Sequence, residues 1–382
     1  MKSTVEESNT GDVIEQIQSE VEDDYSNDDL YNINSYGADL SFRELISMYK
    51  EKELEKPELQ RHYVWDKAEA SRFIESLLLG LPVPSIFLAK TSSEKKLIVD
   101  GYQRIMTVFD YVEKGIFSKD GKTFKLSNSK KINPRWRNKA FQELPEADQR
   151  RIRSTTIHSI IFEQKEPKDN DSSMYQVFER INTSGKTLLP QEIRNCIYQG
   201  AFNSLLFKLN VDRTWRTLFG IPTVDSRMRD MEFILRFFAL KRENILETAQ
   251  TISIKQHLNE FMGGNSNMSP ETAAQFEREF LGSIAFLHRS FGENAFRNLS
   301  TKGDGIFTDK FHPTIFDALA ISTNYALAKN PELKVADLLD RRLALLGDAN
   351  FKAYTRTRTT DVAHIHGRIG LALQYLFDMK YE

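Results

Sequence analysis

The sequence has a single cysteine, Cys196, among 382 residues, so no intramolecular disulfide and no cysteine-cluster metal site can form. That agrees with a reducing compartment, and the apolar helical pattern around Cys196 reads as a small buried thiol rather than a nucleophile. No apolar run approaches the roughly 18 residues of a membrane span, and the N-terminus lacks the apolar stretch of a signal peptide. A globular, cytoplasmic protein with no membrane partner is therefore expected. The seven histidines supply no metal spacing either. His364 and His366, two apart on a helix, point to different faces, and His312 precedes Pro313 in a loop, so all seven read as structural.

Net charge is nearly missing too, at −2, but the balance hides two opposed regions. Residues 1–30 hold ten acidic side chains against Lys2 alone, a net of −9, and the other 352 residues carry 51 basic and 44 acidic, a net of +7. The acidic stretch, residues 1–34, has few apolar positions and is expected to stay disordered. It reads as a solubilising terminus, with a polyanion that competes for the chain's own basic surface as the sharper alternative.

What is present begins at Ser41, placed to cap a short helix through Tyr49. A charged run, Lys50 to Lys56, leads to Pro57 and then to Leu59 through Trp65. Phe73, Ile74, Leu77 and Leu78 mark one face of a helix that stops at Gly80-Leu81-Pro82-Val83-Pro84. Ile86 to Ala89 and Leu97 to Val99 are short and almost wholly apolar, which predicts a hairpin buried on both faces beneath helices. The alternation from Thr155 to Phe162 predicts another strand. Beyond Gln199 the periodicity is helical throughout, with faces such as Met231, Ile234, Leu235 and Phe238, and no strand is expected. The fold class is therefore α+β: a small mixed sheet with covering helices over residues 35–200, followed by an all-helical domain over 201–382.

The stretch with chemical potential is Asp100-Gly101-Tyr102-Gln103-Arg104, between the Leu97 strand and a helix carrying Ile105, Val108, Phe109 and Val112. A strand, a tight polar turn and a helix start converge backbone N–H groups and the positive helix end on one point, where phosphate binds. Arg104 can grip phosphate oxygens, Gln103 can orient a water, Asp100 can hold a metal or accept a proton, and Gly101 permits the turn. The plain alternative is a helix cap with a solvated arginine. Residues 118–153 form a basic insertion in which Lys130, Lys131, Arg135 and Arg137 surround Trp136, a pattern that suits DNA backbone contact with stacking or an ordinary loop with one anchor. Gly185-Lys186-Thr187 looks like part of a P-loop, but the glycine required five residues earlier is Arg180.

Four ordered motifs carry a resemblance: Gln60-Arg61 with Tyr63-Val64-Trp65; Ser76 to Pro84; Asp100 to Arg104; and Phe178-Glu179-Arg180-Ile181-Asn182-Thr183-Ser184-Gly185 with Leu188 and Glu192. The set resembles the N-terminal domain family of GmrSD-type modification-dependent restriction endonucleases (DUF262), related in fold to ParB and sulfiredoxin. Arg229 to Glu232 and Thr355 to Arg368 look like weaker C-terminal features, extending the resemblance to residues 35–382. It implies a nucleoside-triphosphate-binding and hydrolysing module, with Mg2+, in phage defence against foreign DNA. The family's Asp-Gly-Gln-Gln-Arg signature maps onto Asp100, Gly101, Gln103 and Arg104, with Tyr102 in place of the first glutamine. No His-x-x-Pro sequence is present, so the family's HNH nuclease domain is not expected.

The resemblance and the residues together give catalytic roles to Asp100, Gln103 and Arg104, with Asp100 the metal ligand. Gln60, Arg61, Tyr63, Trp65, Gly101, Tyr102, Arg180, Asn182, Thr183 and Gly185 would line the nucleotide pocket. Two alternatives stay open: a non-catalytic DNA-binding or sensing protein acting with a partner nuclease subunit, and a ParB-like DNA nuclease.

Overall fold

The computed structural model describes residues 13–17, 33–56, 65–90, 94–164, 172–181, 189–225, 227–245, 249–300 and 305–381. The chain divides into a sheet-bearing unit, Asn27–Leu188 with Asn195–Ile197, and a helical unit, Met1–Ser26, Leu189–Arg194 and Tyr198–Glu382.

In the sheet-bearing unit, β1 (Ile33–Ser41) runs directly into α1 (Phe42–Lys50). Ser41 makes the break: its hydroxyl accepts the Glu44 N–H at 3.2 Å while the Glu44 carboxylate accepts the Ser41 N–H at 2.7 Å. The two-residue β2 (Leu54–Glu55) follows, and then α2 (Lys67–Leu79), started by the same reciprocal capping between Asp66 and Glu69. Gly80 ends α2 in the left-handed conformation, at φ 71°.

The predicted hairpin is β3 (Ile86–Lys90) and β4 (Lys96–Asp100), which pair antiparallel. After β4 come α3 (Tyr102–Phe109), extended by a π turn over Asp110–Lys114, then α4 (Glu146–Ser154), β5 (Thr156–Gln164) and α5 (Ser172–Ile181). The sheet order is β1-β5-β3-β4-β2. Pairing is antiparallel for β1 with β5 and parallel for β5 with β3 and for β4 with β2, so the sheet is mixed. Ile86, Leu88 and Ala89 of central β3 are fully buried, as their unbroken apolar run requires. The basic insertion is less polar in effect than in composition. Phe124, Leu126, Ile132, Trp136, Phe141 and Leu144 all join the core formed with Phe42, Ile74, Ile98 and Ile105.

The chain continues through α6 (Pro190–Ile197), α7 (Ala201–Asn210), α8 (Arg213–Phe219), α9 (Arg229–Ala239), α10 (Ile254–Gly264) and α11 (Pro270–Phe291). It ends with α12 (Pro313–Lys329), α13 (Leu338–Gly347), α14 (Ala349–Arg356) and α15 (Val362–Phe377). In the helical unit Trp215 is fully buried, its ring 5.5–6.0 Å from those of Phe219, Phe280, Phe311 and Phe316. Buried ion pairs cross between helices: Asp317 of α12 meets Arg236 of α9 at 2.5 Å and Arg368 of α15 at 3.0 Å.

The expectation of helices alone beyond Gln199 needs correction. β6 (Arg297–Leu299) and β7 (Phe307–Phe311) form an antiparallel pair whose register shifts between Arg297 and Leu299. Strands this short, with a break in register, leave no alternation to read. The acidic N-terminal stretch, expected to stay disordered, pairs with β7 through residues 13–15: Phe311 N–H donates to Val13 O at 2.7 Å, Glu15 N–H to Phe311 O at 2.9 Å, and Ile17 is buried. Among the described residues no helix is long and apolar enough to cross a membrane.

Candidate functional site

The Asp100–Arg104 turn is built by three constraints. Asp100 ends β4, paired across from Phe87 at the point where the register with β3 shifts. Gly101 then takes φ 100°, ψ 5°, and a Cβ there would lie 2.3 Å from Ile86 Cγ2, so conformation and space both demand glycine. From Tyr102 the chain is helical, and no side chain caps the helix start. The amide end of α3 is therefore not claimed by a capping side chain, and it carries the positive end of the helix dipole.

Arg104 Nη2 donates to Asp100 Oδ2 at 2.7 Å. The arginine side chain is only 13% exposed and the carboxylate 43%, so the pair has one buried and one accessible side. Arg104 Nε is buried with no hydrogen-bond partner. A guanidinium anchored on a carboxylate, with a further N–H left to bond, suits an oxyanion better than it suits a structural pair alone. Gln103 Oε1 accepts the Trp65 N–H at 3.3 Å, and the Gln103 carbonyl accepts the Thr107 hydroxyl at 2.6 Å. The structure thus brings Asp100, Gly101, Gln103, Arg104 and Trp65 together.

Tyr102 turns the other way. Its ring packs on the domain core, and burial, with Tyr49 and Asp110 adding to it, pushes the hydroxyl up to about 12. Asp110 opens the π turn fully buried, its carboxylate accepting the N–H and hydroxyl of Ser118, both at 2.9 Å, and burial raises its pKa. Sequence reasoning did not single out Asp110, because a lone aspartate inside an apolar helix pattern has no spacing that marks it.

Other expected site residues are placed differently or lie elsewhere. Arg180 is exposed in the last turn of α5 and makes no hydrogen bond or ion pair with Asp100, Gln103 or Arg104. Gln60, Arg61, Tyr63, Asn182, Thr183 and Gly185 lie outside the described residues, as do Lys186 and Thr187. In the basic insertion Trp136 is only 4% exposed and its indole N–H donates to Asp148 Oδ2 at 2.8 Å, so the ring is an internal anchor with no face for a base. Arg135 pairs with the same carboxylate at 3.2 Å, and Arg137 donates to the Ile132 carbonyl at 2.8 Å. Lys130 and Lys131 are exposed.

Among the described residues no three His, Cys, Asp or Glu side chains gather to hold a metal ion. A cation at Asp100 would rest on one carboxylate, of which Arg104 already engages one oxygen. That donor set fits Mg2+ only in company with ligand phosphates, as Mg2+ is commonly held with nucleotides.

The motifs in the C-terminal half have structural work. Asp230 is fully buried against Arg216 at 2.7 Å, Glu232 meets Arg194 at 2.8 Å, and Arg368 donates to the Thr359 carbonyl at 2.8 Å besides its bond to Asp317.

Comparison with known proteins finds a match over residues 42–199 to the family model described as GmrSD restriction endonuclease, N-terminal domain. The matched span takes in the capped α1, the hairpin, the Asp100–Arg104 turn and α5, and it ends short of the C-terminal motifs. No curated protein and no solved structure matches the chain. Residues 42–199, which contain the uncapped helix start and the Asp100–Arg104 pair, are thus similar to the N-terminal domain of the GmrSD restriction endonucleases.

Proposed function

We propose that the chain binds and hydrolyses nucleoside triphosphate at the Asp100–Arg104 turn as a module of a restriction-type defence system. The observation that carries this reading is the Arg104 guanidinium, fixed on Asp100 and left with a buried, unpartnered Nε–H beside a helix start that no side chain caps. Catalysis of phosphoryl transfer to water needs positioning and charge neutralisation more than covalent chemistry. Arg104 supplies charge to a phosphate oxygen, the α3 amide end supplies aligned dipoles, and Gln103, steadied by the Trp65 N–H, orients the attacking water. Asp100 would hold Mg2+ in company with the ligand phosphates, where the ion would supply charge neutralisation.

Tyr102 replaces a glutamine of the family signature, but its ring packs on the core rather than beside Arg104. The departure therefore leaves the Asp100, Gln103 and Arg104 side chains as a set.

The test is phosphate release from ATP, GTP, CTP and UTP with Mg2+, with and without DNA, by the full chain and by Arg104→Ala. Turnover that is lost in the variant supports the assignment. Turnover that survives it removes the site, and a folded protein with no turnover at all would favour a binding module whose chemistry lies in a partner nuclease.

A further inference from the structure

A second group of cations lies at the other end of the motif helix. Arg43, Ile46, Ser47 and Lys50 recur along α1 at i, i+3, i+4 and i+7, which places them on one helix face. Arg153 from the last turn of α4 and Glu113 from the π turn complete a cavity of about 170 Å³ with these four. From Arg104 to Glu113 the chain advances nine helical residues, roughly 13 Å along the axis, so this cavity is separate from the Asp100–Arg104 turn.

The charges around the cavity do not cancel. Lys50 Nζ lies 3.1 Å from Glu113 Oε2, which neutralises the single carboxylate on the wall. That leaves two guanidiniums. Among the described residues neither Arg43 nor Arg153 has an ion-pair partner. Arg153 is steadied instead by its packing over the Phe141 ring, 4.9 Å from the ring centre, a contact that uses none of its N–H groups. Arg43 and Lys50 are exposed and Arg153 is half-buried, so an incoming group reaches the cations from solvent.

Two unpaired guanidinium forks call for an anion with several acceptor oxygens, and phosphate meets that need. Size narrows the ligand further. Pockets that take whole small molecules run to about 300–1,000 Å³, so this cavity holds one anionic group while the rest of the ligand stays outside. We propose that Arg43, Lys50 and Arg153 form a second phosphate site that seats a single phosphate group carried by a larger molecule. Both a soluble phosphate ester and a nucleic-acid backbone present that group.

The experiment compares the full chain with Arg43→Gln/Arg153→Gln, which removes both guanidinium charges and keeps polar side chains in their place. A charge control, Lys122→Ala/Lys352→Ala, removes two exposed cations elsewhere, and Arg104→Ala reports on the nucleotide turn. Inorganic phosphate is titrated by calorimetry, and a labelled DNA duplex by fluorescence anisotropy across a salt series. The expected result is a loss of at least tenfold in affinity for one probe or both in the Arg43/Arg153 variant, with neither control sharing it. Loss for the duplex, with a salt slope shallower by about one, identifies a backbone phosphate. Loss confined to inorganic phosphate identifies a soluble ester. The proposal is overturned if the wild-type chain binds neither probe, if the Arg43/Arg153 variant binds both unchanged, or if the lysine control loses as much.

Discussion

Arg104 reaches back one helical turn to donate to Asp100 at 2.7 Å, while its Nε stays buried with no partner. The pair is thus half complete: the carboxylate fixes the guanidinium in place but does not satisfy it. Arg104→Lys tests whether that geometry matters beyond charge. A lysine ammonium keeps the positive charge but cannot bond Asp100 and a phosphate through one planar fork. A loss of about 1.5–3 kcal/mol in transition-state stabilisation, roughly 10- to 150-fold in kcat/KM for phosphate release, is expected. Turnover at the wild-type level in this variant would show that charge alone suffices.

Gly101→Ala should unfold the site from beneath. The added methyl would meet Ile86 Cγ2 at 2.3 Å in a backbone at φ 100°. Overpacking and left-handed strain together cost about 2–5 kcal/mol. Urea unfolding would register this as a lower midpoint, and an unchanged midpoint would mean that the turn relaxes freely.

Removing a charge from the helical unit should be costlier than its surface value suggests. Asp317 is fully buried between Arg236 and Arg368, both of them under 3% exposed. Asp317→Ala strands two buried cations, and a loss of about 3–5 kcal/mol is expected. Replacing all three residues by apolar ones of similar volume should recover much of it, and thermal unfolding of the single and triple variants makes the comparison.

His312 gives the fold a pH dependence of known sign. It is fully buried, and burial first, with Arg356 and Arg368 assisting and Asp317 opposing, lowers its pKa to about 4. Glu15 Oε1 lies 3.8 Å from its Nε2. Since the folded chain resists a proton that the unfolded chain accepts, stability is unaffected above pH 6.5 and falls as pH drops toward 4, by roughly 3 kcal/mol. Unfolding midpoints between pH 7.5 and 4.5 should fall more steeply for the wild-type chain than for His312→Gln. Parallel slopes would remove histidine from the account.

The elements legible in the sequence are those in which local chemistry and burial agree. Ser41 with Glu44 spells out a helix start, and the apolar runs of β3 and β4 admit only buried strands. Edge elements were hidden because little of them is buried. Asn34 to Gly37 of β1 are all exposed, so an outer strand looks like polar linker, and β2 is two residues at the end of a charged run. The site was half legible. Asp100, Gly101 and Arg104 stand out by spacing, whereas the packing of Tyr102 on the core depends on contacts distant in sequence. For Trp136 the sequence leaves a stacking platform and a loop anchor both open, because its partner Asp148, twelve residues on, cannot be recognised from composition. The cationic face of α1 went unnoticed for the opposite reason, since a charged helix face ordinarily belongs to solvent.

The contact of Val13 and Glu15 with Phe311 changes how the acidic leader can be studied. Trimming the first thirty residues would subtract a strand partner and the buried Ile17 along with the negative charge, so a truncated protein would report damage to packing and loss of competition for the basic surface in one signal. Amide replacements at Glu20, Glu22, Asp23, Asp24, Asp28 and Asp29 leave the docked residues untouched and separate the two.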